Sequence, residues 1–363
     1  MNKSTKILIV PLDWGLGHAT RCIPLIHHLI SLGCNVVLAG NERTNGLLWN
    51  EFPNLDFRAL KGYEVQYSPK KWQLPFVLLK QVPRILSIIH EEHQWLENLL
   101  ENEHFDAVIS DNRYGLYTNT IPCIFITHQT SIKVPHLRLL QNLVNKVNQK
   151  WINRFSACWI PDDEIHRLSG ELSSIASIRN VQFLGVLSRF GNAPKKLNHR
   201  SYEVLVLLSG PEPQRSLLES SVIKQLKQTS IQALIVRGIP AQTEYSSLSK
   251  TIDTVNHLNA NQLEREIMSS NIIICRSGYT TLMDLVKLKK HAILIPTPGQ
   301  TEQEYLAKKM QEKKWFLHVE QARFSIEDVL KQYNSFDFKS MDELQMDQYI
   351  KVLNQFVQSI QHL

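Results

Sequence analysis

Ile272-Ile-Ile-Cys275-Arg-Ser-Gly-Tyr-Thr-Thr-Leu-Met-Asp284 passes from four apolar residues through a small-residue turn into a helical pattern. A short continuous apolar run reads as a strand buried on both faces, and Thr280–Lys287 reads as the helix it feeds. Ser277 and Gly278 stand at the turn. There a hydroxyl and backbone N–H groups can meet a diphosphate at the positive end of the helix. Asp284 follows Thr280 by four residues and Thr281 by three, so the three share one helix face. A carboxylate one turn in from a phosphate site can accept both hydroxyls of a ribose.

The same strand–turn–helix unit recurs on both sides of this stretch. Glu203–Leu208, Ala233–Val236, Thr251–Val255 and Ala292–Ile295 read as strands. Arg215–Gln228, Asn261–Ser269 and Glu302–Lys313 read as helices between and after them. Upstream of a polar stretch at Ser188–Ser201 the pattern is repeated. Ile7–Val10, Val36–Ala39, Ala107–Ser110, Cys123–Thr127 and Ala157–Ile160 are strands. Helices are expected at His18–Leu32, Pro75–Leu100 and Leu137–Phe155. Alternating strands and helices define an α/β chain with parallel sheets. Two Rossmann-like halves are expected, at 1–187 and 201–340, and Met341–Leu363 reads as one amphipathic helix.

Two further loops carry chemistry. After the first strand comes Pro11-Leu-Asp-Trp-Gly15-Leu-Gly17-His18-Ala-Thr-Arg21. Gly15 and Gly17 permit a tight turn and a close backbone approach to a ligand. His18 and Arg21 are three apart and share the mouth of the next helix, where a histidine can take a proton from an attacking hydroxyl. A dinucleotide fingerprint fits poorly, because its third glycine falls on Thr20. In the second half, Ser209-Gly210-Pro-Glu-Pro-Gln-Arg215 occupies a phosphate-loop position, with an arginine in the first helical turn. Asp111-Asn112-Arg113 and His128 lie at strand ends, where α/β sheets gather ligand groups. They read either as an acceptor pocket, with Asp111 orienting His18, or as ordinary capping. His90-Glu-Glu-His93 reads as a solvated helix face, so no metal site is expected.

Composition narrows the class. The 363 residues, 43% hydrophobic and 20% charged, suit two soluble domains. Five scattered cysteines without C-x-x-C spacing read as buried thiols of a reducing compartment. The net charge of +6 suits anionic partners, but no basic run or zinc-finger spacing supports nucleic acid. The four apolar residues at Ile7–Val10 are too few for a signal peptide, and no stretch approaches a membrane span. A cytoplasmic location is expected. Lys70-Lys-Trp-Gln-Leu-Pro-Phe-Val-Leu-Leu-Lys80-Gln-Val-Pro-Arg84 mixes cations with large apolar groups. It reads either as a peripheral contact with an anionic inner membrane face or as a core helix with a basic outer side.

The Ser277-Gly278-x-x-Thr281-x-x-Asp284 segment resembles that of the GT-B glycosyltransferases. It is most similar to glycosyltransferase family 28 and its peptidoglycan N-acetylglucosaminyltransferase group, where a glutamate stands at the Asp284 position. Pro296-Thr-Pro-Gly-Gln300-Thr-Glu302-Gln303-Glu-Tyr-Leu306-Ala307 resembles the same family's proline-rich loop and Gln-Gln-x-x-Asn-Ala pattern. Leu306 replaces the asparagine. The Gly-x-Gly-His-x-x-Arg loop is closer to a sister group that includes a UDP-sugar hydrolase of pseudaminic acid synthesis. The resemblance implies two Rossmann-like domains facing a cleft, with the last helix crossing back to the first. It also implies a UDP-sugar donor, such as a UDP-N-acetylhexosamine, contacted by Glu302 and Gln303. The implied reaction is metal- and cofactor-independent inverting transfer to a hydroxyl acceptor, with lipid-linked acceptors included. A UDP-sugar hydrolase and a non-catalytic nucleotide-sugar binder remain the alternatives.

Overall fold

The structure is a computed structural model that describes residues 4–361 apart from 15, 42–47, 64–73, 134–137, 192–201 and 240–243. The chain divides into two compact units. Unit 1 comprises Met1–Gln66, Phe76–Arg189 and Leu344–Leu363, and unit 2 comprises Tyr67–Pro75 and Phe190–Glu343.

Unit 1 is built on β1 (Lys6–Pro11), β2 (Asn35–Gly40), β3 (Asp56–Ala59), β4 (Ala107–Asp111), β5 (Cys123–Ile126), β6 (Ala157–Ile160) and β7 (Val181–Phe183). Their order across the sheet is β3-β2-β1-β4-β5-β6-β7, and every pair is parallel. Helices α1 (Leu16–Ser31), α2 (Leu74–Asn102) and α3 (Arg138–Ile152) link the strands. Leu8, Val10, Val108 and Phe125 are buried in the core under the sheet. The α1 helix stops at Gly33, whose φ of +77° places it in the left-handed region. Cys34 N–H reaches Leu29 O and Gly33 N–H reaches Ile30 O, the pair of bonds that closes a Schellman end.

Unit 2 repeats the plan with β8 (Val204–Leu207), β9 (Ala233–Val236), β10 (Tyr245–Ser247), β11 (Ile252–Val255), β12 (Ile272–Cys275), β13 (Ile293–Leu294) and β14 (Leu317–His318). The order is β10-β11-β9-β8-β12-β13-β14, with only β10 antiparallel. Its helices are α4 (Gln214–Leu226), α5 (Ala260–Ser269), α6 (Tyr279–Lys287), α7 (Thr301–Glu312) and α8 (Ile326–Ser335). A capping box joins Asn259 and Gln262 at the start of α5, and Ser325 caps α8.

The last helix, α9 (Gln348–Gln361), packs on unit 1 rather than on unit 2. Its Asn354 lies 2.8 Å from His28 of α1, and Phe356 meets Trp159 of β6 edge-on. Asp163 accepts a bond from Gln345 N–H, and Val186 bridges Met346, so the returning chain is fixed before the helix begins. The expected helix from Met341 is therefore shorter than the sequence suggested. Asp347, at φ +61°, marks the turn into α9. The edge strands β3, β7, β10 and β14 escaped the sequence reading. Their residues are few and largely exposed or polar, so they lack the apolar run that marks a central strand. No described helix is long and apolar enough to cross a membrane. Of the 70–84 stretch, residues 70–73 and the side chains of 74–80 lie outside what is described; Val82, Pro83 and Arg84 are exposed on α2.

Candidate active site

In each unit the strand order reverses beside the first strand, at β1/β4 and at β8/β12. Such a switch point leaves a crevice at the carboxyl ends of the strands, the usual ligand position of open α/β sheets. The candidate residues cluster at both crevices.

In unit 1 the parallel register sets Asp111 opposite Pro11, so the last residue of β4 faces the loop that starts α1. Gly15 lies outside the described residues. Gly17, His18 and Arg21 fall in the first turns of α1. Asp111 is fully buried and is the hub. Its Oδ2 accepts from Arg21 Nε at 2.6 Å, and its Oδ1 accepts from Arg21 Nη2 and lies 3.0 Å from His18 Nδ1. Arg21, 2% exposed, also donates through Nη1 to His128 Nδ1 at 3.1 Å. Burial alone would raise the Asp111 pKa. The Arg21 charge and the bonds from Arg21 and His18 outweigh it and hold the carboxyl at about 2.

His18 keeps part of its ring at the surface, with 18% of the side chain exposed. Its Nδ1 lies near both Asp111 and Arg21 Nη2, the latter at 2.9 Å, yet one ring nitrogen cannot donate and accept together. Arg21 already donates to the carboxylate, and the carboxylate is the stronger acceptor, so the tautomer with Nδ1–H donated to Asp111 is favoured. That tautomer leaves the Nε2 lone pair available to a proton. Burial and the Arg21 charge pull the His18 pKa below its ordinary value, against the opposing pull of Asp111. The ring is thus an uncharged base at neutral pH.

Asn112 and Arg113 follow directly on the last residue of β4. Arg113 is fully buried and donates to Glu92 Oε1 at 2.7 Å, while also reaching Lys61 O and Pro11 O. Glu92 further accepts from Tyr63 Oη and Gly115 N–H. Arg113 is therefore an internal tie between α2 and the strand-end loops. Asn112 is half-buried, with φ +58° and its N–H on Ile126 O. Asp13 escaped the sequence reading. It accepts from Tyr63 N–H and from Asn41 Nδ2, and so shapes the loop from its buried position.

In unit 2 three loops meet over the ends of β8, β12 and β13. Ser209 and Gly210 are exposed at the end of β8. Gly210 has φ +96°, a conformation that strains any residue with a side chain, and a Cβ there would stand 3.5 Å from Thr297 Oγ1. Thr297 is 2% exposed, and its hydroxyl has no hydrogen-bond partner among the described residues. A buried hydroxyl without a partner is uncommon and marks where a ligand atom or water can dock. Gly278, half-buried, is the N-cap of α6 and supplies no side-chain cap, unlike the caps of α5 and α8.

Arg276 is the brace of this region. Its Nη1 donates to Ile295 O, Pro296 O and Gln321 Oε1, and its Nη2 donates to Gln214 O. It is 1% exposed, and burial lowers its pKa to about 10. The sequence reading missed both Arg276 and Thr297. An arginine directly after a buried strand was the one available signal.

Several donor-side candidates prove to be committed to the protein itself. Ser277 is fully buried and donates to Gln303 O at 2.8 Å. Gln303 accepts from Thr297 N–H at 2.9 Å and donates to Gln300 Oε1. Arg215 lies between Glu212 and Glu219, and Glu219 also takes Arg237. These side chains hold the loops in shape. Thr280, Thr281 and Glu302 are half-buried in the first turns of α6 and α7. Asp284 is 3% exposed, and its charge, after burial, raises the pKa of Glu264. Among the described residues no group of three or more metal-ligating side chains occurs.

Comparison with known proteins agrees with this architecture. Over 99% of its length the chain is similar to solved glycosyltransferases. These include the glycotransferase of kitacinnamycin (13% identity, TM-score 0.61, 96% of that chain covered) and MurG of Acinetobacter baumannii (13%, 0.55, 100%). UGT89C1 of Arabidopsis thaliana, solved with UDP-L-rhamnose, is similar at 12% identity and TM-score 0.61, with 95% of that chain covered. The fold is GT-B, an α/β architecture of two Rossmann-like units whose last helix returns to the first. Residues 214–363 match the glycosyltransferase family 28 C-terminal domain, so unit 2 and the returning helix carry the family 28 pattern. A curated relative from Natranaerobius thermophilus is 26% identical over 187 residues, 47% of this chain and 50% of its own. Its name is UDP-N-acetylglucosamine--N-acetylmuramyl-(pentapeptide) pyrophosphoryl-undecaprenol N-acetylglucosamine transferase. The chain thus spans about half the length of that relative.

Proposed function

We propose that the chain is a glycosyltransferase that moves a sugar from a UDP-linked donor to a hydroxyl acceptor by direct displacement with inversion. The observation that carries this reading is His18, partly exposed and held through Nδ1 beside Asp111 and Arg21, at the switch point of a GT-B unit. In this reading Nε2 takes the acceptor's hydroxyl proton. The oxygen bonds to the anomeric carbon as the bond to the diphosphate breaks. The diphosphate is met by the loop of Ser209 and Gly210, the Thr297 hydroxyl and the N-terminus of α6. Fixed dipoles of this kind stabilise a leaving group without a metal. Asp284 serves the ribose and Glu302 the sugar. The Natranaerobius relative's name supports a UDP-N-acetylhexosamine donor and a lipid-linked acceptor.

The test is UDP release from a panel of UDP-sugars, with and without a membrane lipid extract and with and without EDTA. Release that requires the extract and survives EDTA supports the reading. Release in water alone moves the chain to the hydrolases, and binding without release makes it a nucleotide-sugar binder.

Two further outcomes are expected. Thr297→Val, which keeps the side chain's shape, is expected to leave thermal stability unchanged and weaken UDP binding roughly tenfold to a hundredfold by calorimetry. That is the worth of a hydrogen bond to a charged group, about 1.5–3 kcal/mol. Equal UDP affinity would remove Thr297 from the site. The pH profile of kcat/KM is expected to be flat through neutrality and to fall on the acid side with a pKa below 6.5. The sign follows from the His18 shift: its uncharged form persists to lower pH than that of an ordinary histidine. An acid limb centred above 6.5 would contradict the base assignment.

A further inference from the structure

Arg237 follows directly on β9, at the same carboxyl edge of unit 2 as Ser209 and Gly210. Its N–H donates to Val255 O at the end of β11, and Leu208 N–H donates to Val236 O just before it. The next residue, Gly238, has φ +67°, and a Cβ there would stand 2.2 Å from Leu208 O and 3.6 Å from Ser209 Cα. Only glycine permits so close an approach, and it sets the loop after β9 against the loop after β8.

The guanidinium is held from two sides. Its Nε donates to Glu219 Oε1 of α4, and its Nη1 donates to Asn256 Oδ1, just past β11, at 3.1 Å. The other Glu219 oxygen accepts from Arg215 Nη1 at 2.7 Å, and Arg215 also reaches the Arg237 carbonyl. Both Glu219 oxygens and the Asn256 side-chain oxygen are thus in use. An arginine only donates, so the Asn256 amide must turn its oxygen to Arg237 and leave its NH2 group as the free end. Among the described residues Arg237 Nη2 and Asn256 Nδ2 have no partner, and the arginine side chain is 36% exposed. Two donor groups, fixed in place and without an acceptor, match a ligand edge made of acceptors.

Charge and position select the edge. Glu212 and Glu219 balance Arg215 and Arg237, so the network holds no surplus positive charge for a diphosphate. Strands β9 and β11 lie on the side of β8 away from the β8/β12 switch point, one and two strands over, at about 4.8 Å per strand. Glu302, after β13, lies on the opposite side. A nucleotide sugar with its diphosphate at the switch point and its sugar toward Glu302 extends its base toward β9 and β11. We infer, on the reading of the chain as a UDP-sugar enzyme, that Arg237 and Asn256 select the nucleobase by donating to the carbonyl edge of uracil. Cytosine carries an amino group where uracil carries one of its carbonyl oxygens, so donor would face donor there.

Calorimetry of the full chain with UDP, CDP and uridine tests this. The parent is expected to bind UDP at least about tenfold more tightly than CDP. Arg237→Met is expected to weaken UDP and uridine alike, by about tenfold to a hundredfold, and to leave CDP nearly unchanged. Asn256→Asp still offers Arg237 an oxygen, so its thermal unfolding is expected to match the parent's. It replaces donors with an acceptor, and it is expected to move the preference from UDP toward CDP. That variant decides the matter if Arg237→Met does not fold. A loss of UDP affinity with uridine unaffected would place Arg237 on the diphosphate and overturn the inference. UDP and CDP affinities that neither variant changes overturn it as well, while the UDP-sugar reading stands. A parent that binds no nucleotide overturns both.

Discussion

Turnover of a His18→Ala variant is expected to fall by about 10²–10⁴, the usual cost of removing a general base. UDP affinity is expected to hold, because the donor-side loops belong to unit 2 and His18 to unit 1. The split matters. A loss confined to kcat marks a group acting on the reacting atoms, whereas a parallel loss of UDP affinity would mark a structural role. The fold is expected to survive, since His18 is partly exposed and its one committed bond is to a carboxylate that Arg21 already satisfies. A folded His18→Ala protein with undiminished turnover would end the base assignment.

Asp111→Ala is expected to be the most damaging substitution to stability, at roughly 3–5 kcal/mol. The carboxylate is fully buried and receives bonds from Arg21 and His18, with the Cys22 thiol 3.7 Å away. Removing it strands the Arg21 guanidinium in the interior. For a unit of this size the midpoint of thermal unfolding is expected to drop by about 6–20 °C. Pairing it with Arg21→Met, which withdraws the stranded charge, is expected to recover much of that loss. Activity is not expected to return, because His18 would have lost the group that sets its tautomer. A fall of only a degree or two in Asp111→Ala would mean that the pair contributes little to holding the fold.

The central strands were legible because an apolar run such as Ile272–Cys275 has one economical use, a strand covered on both faces. Tyr245-Ser-Ser was illegible because its pairing with β11 depends on backbone register, which those side chains do not encode. At the site, the loop positions of His18, Asp111, Gly210 and Gly278 followed from strand order. The employment of the polar side chains did not. Arg113 and Glu92 are 21 residues apart, and Ser277 and Gln303 are 26 apart. Proximity at that range is created by the fold. An arginine or serine at a strand end looks the same in sequence whether it faces a ligand or holds a loop. Thr297 shows the converse: nothing in Pro296-Thr-Pro hinted that its hydroxyl would be enclosed and left without a partner.

The return of α9 to unit 1 bears on how the molecule is made. Val352, Leu353, Val357 and Ile360 are buried, and Phe356 lies against Trp159, itself 1% exposed. A ribosome has finished unit 2 before it releases the residues that complete the shell of unit 1. During that interval Trp159 and its neighbours wait uncovered, the kind of exposed apolar surface that invites wrong partners or a chaperone. Of the two units, the one that begins first along the chain is thus the last to be sealed.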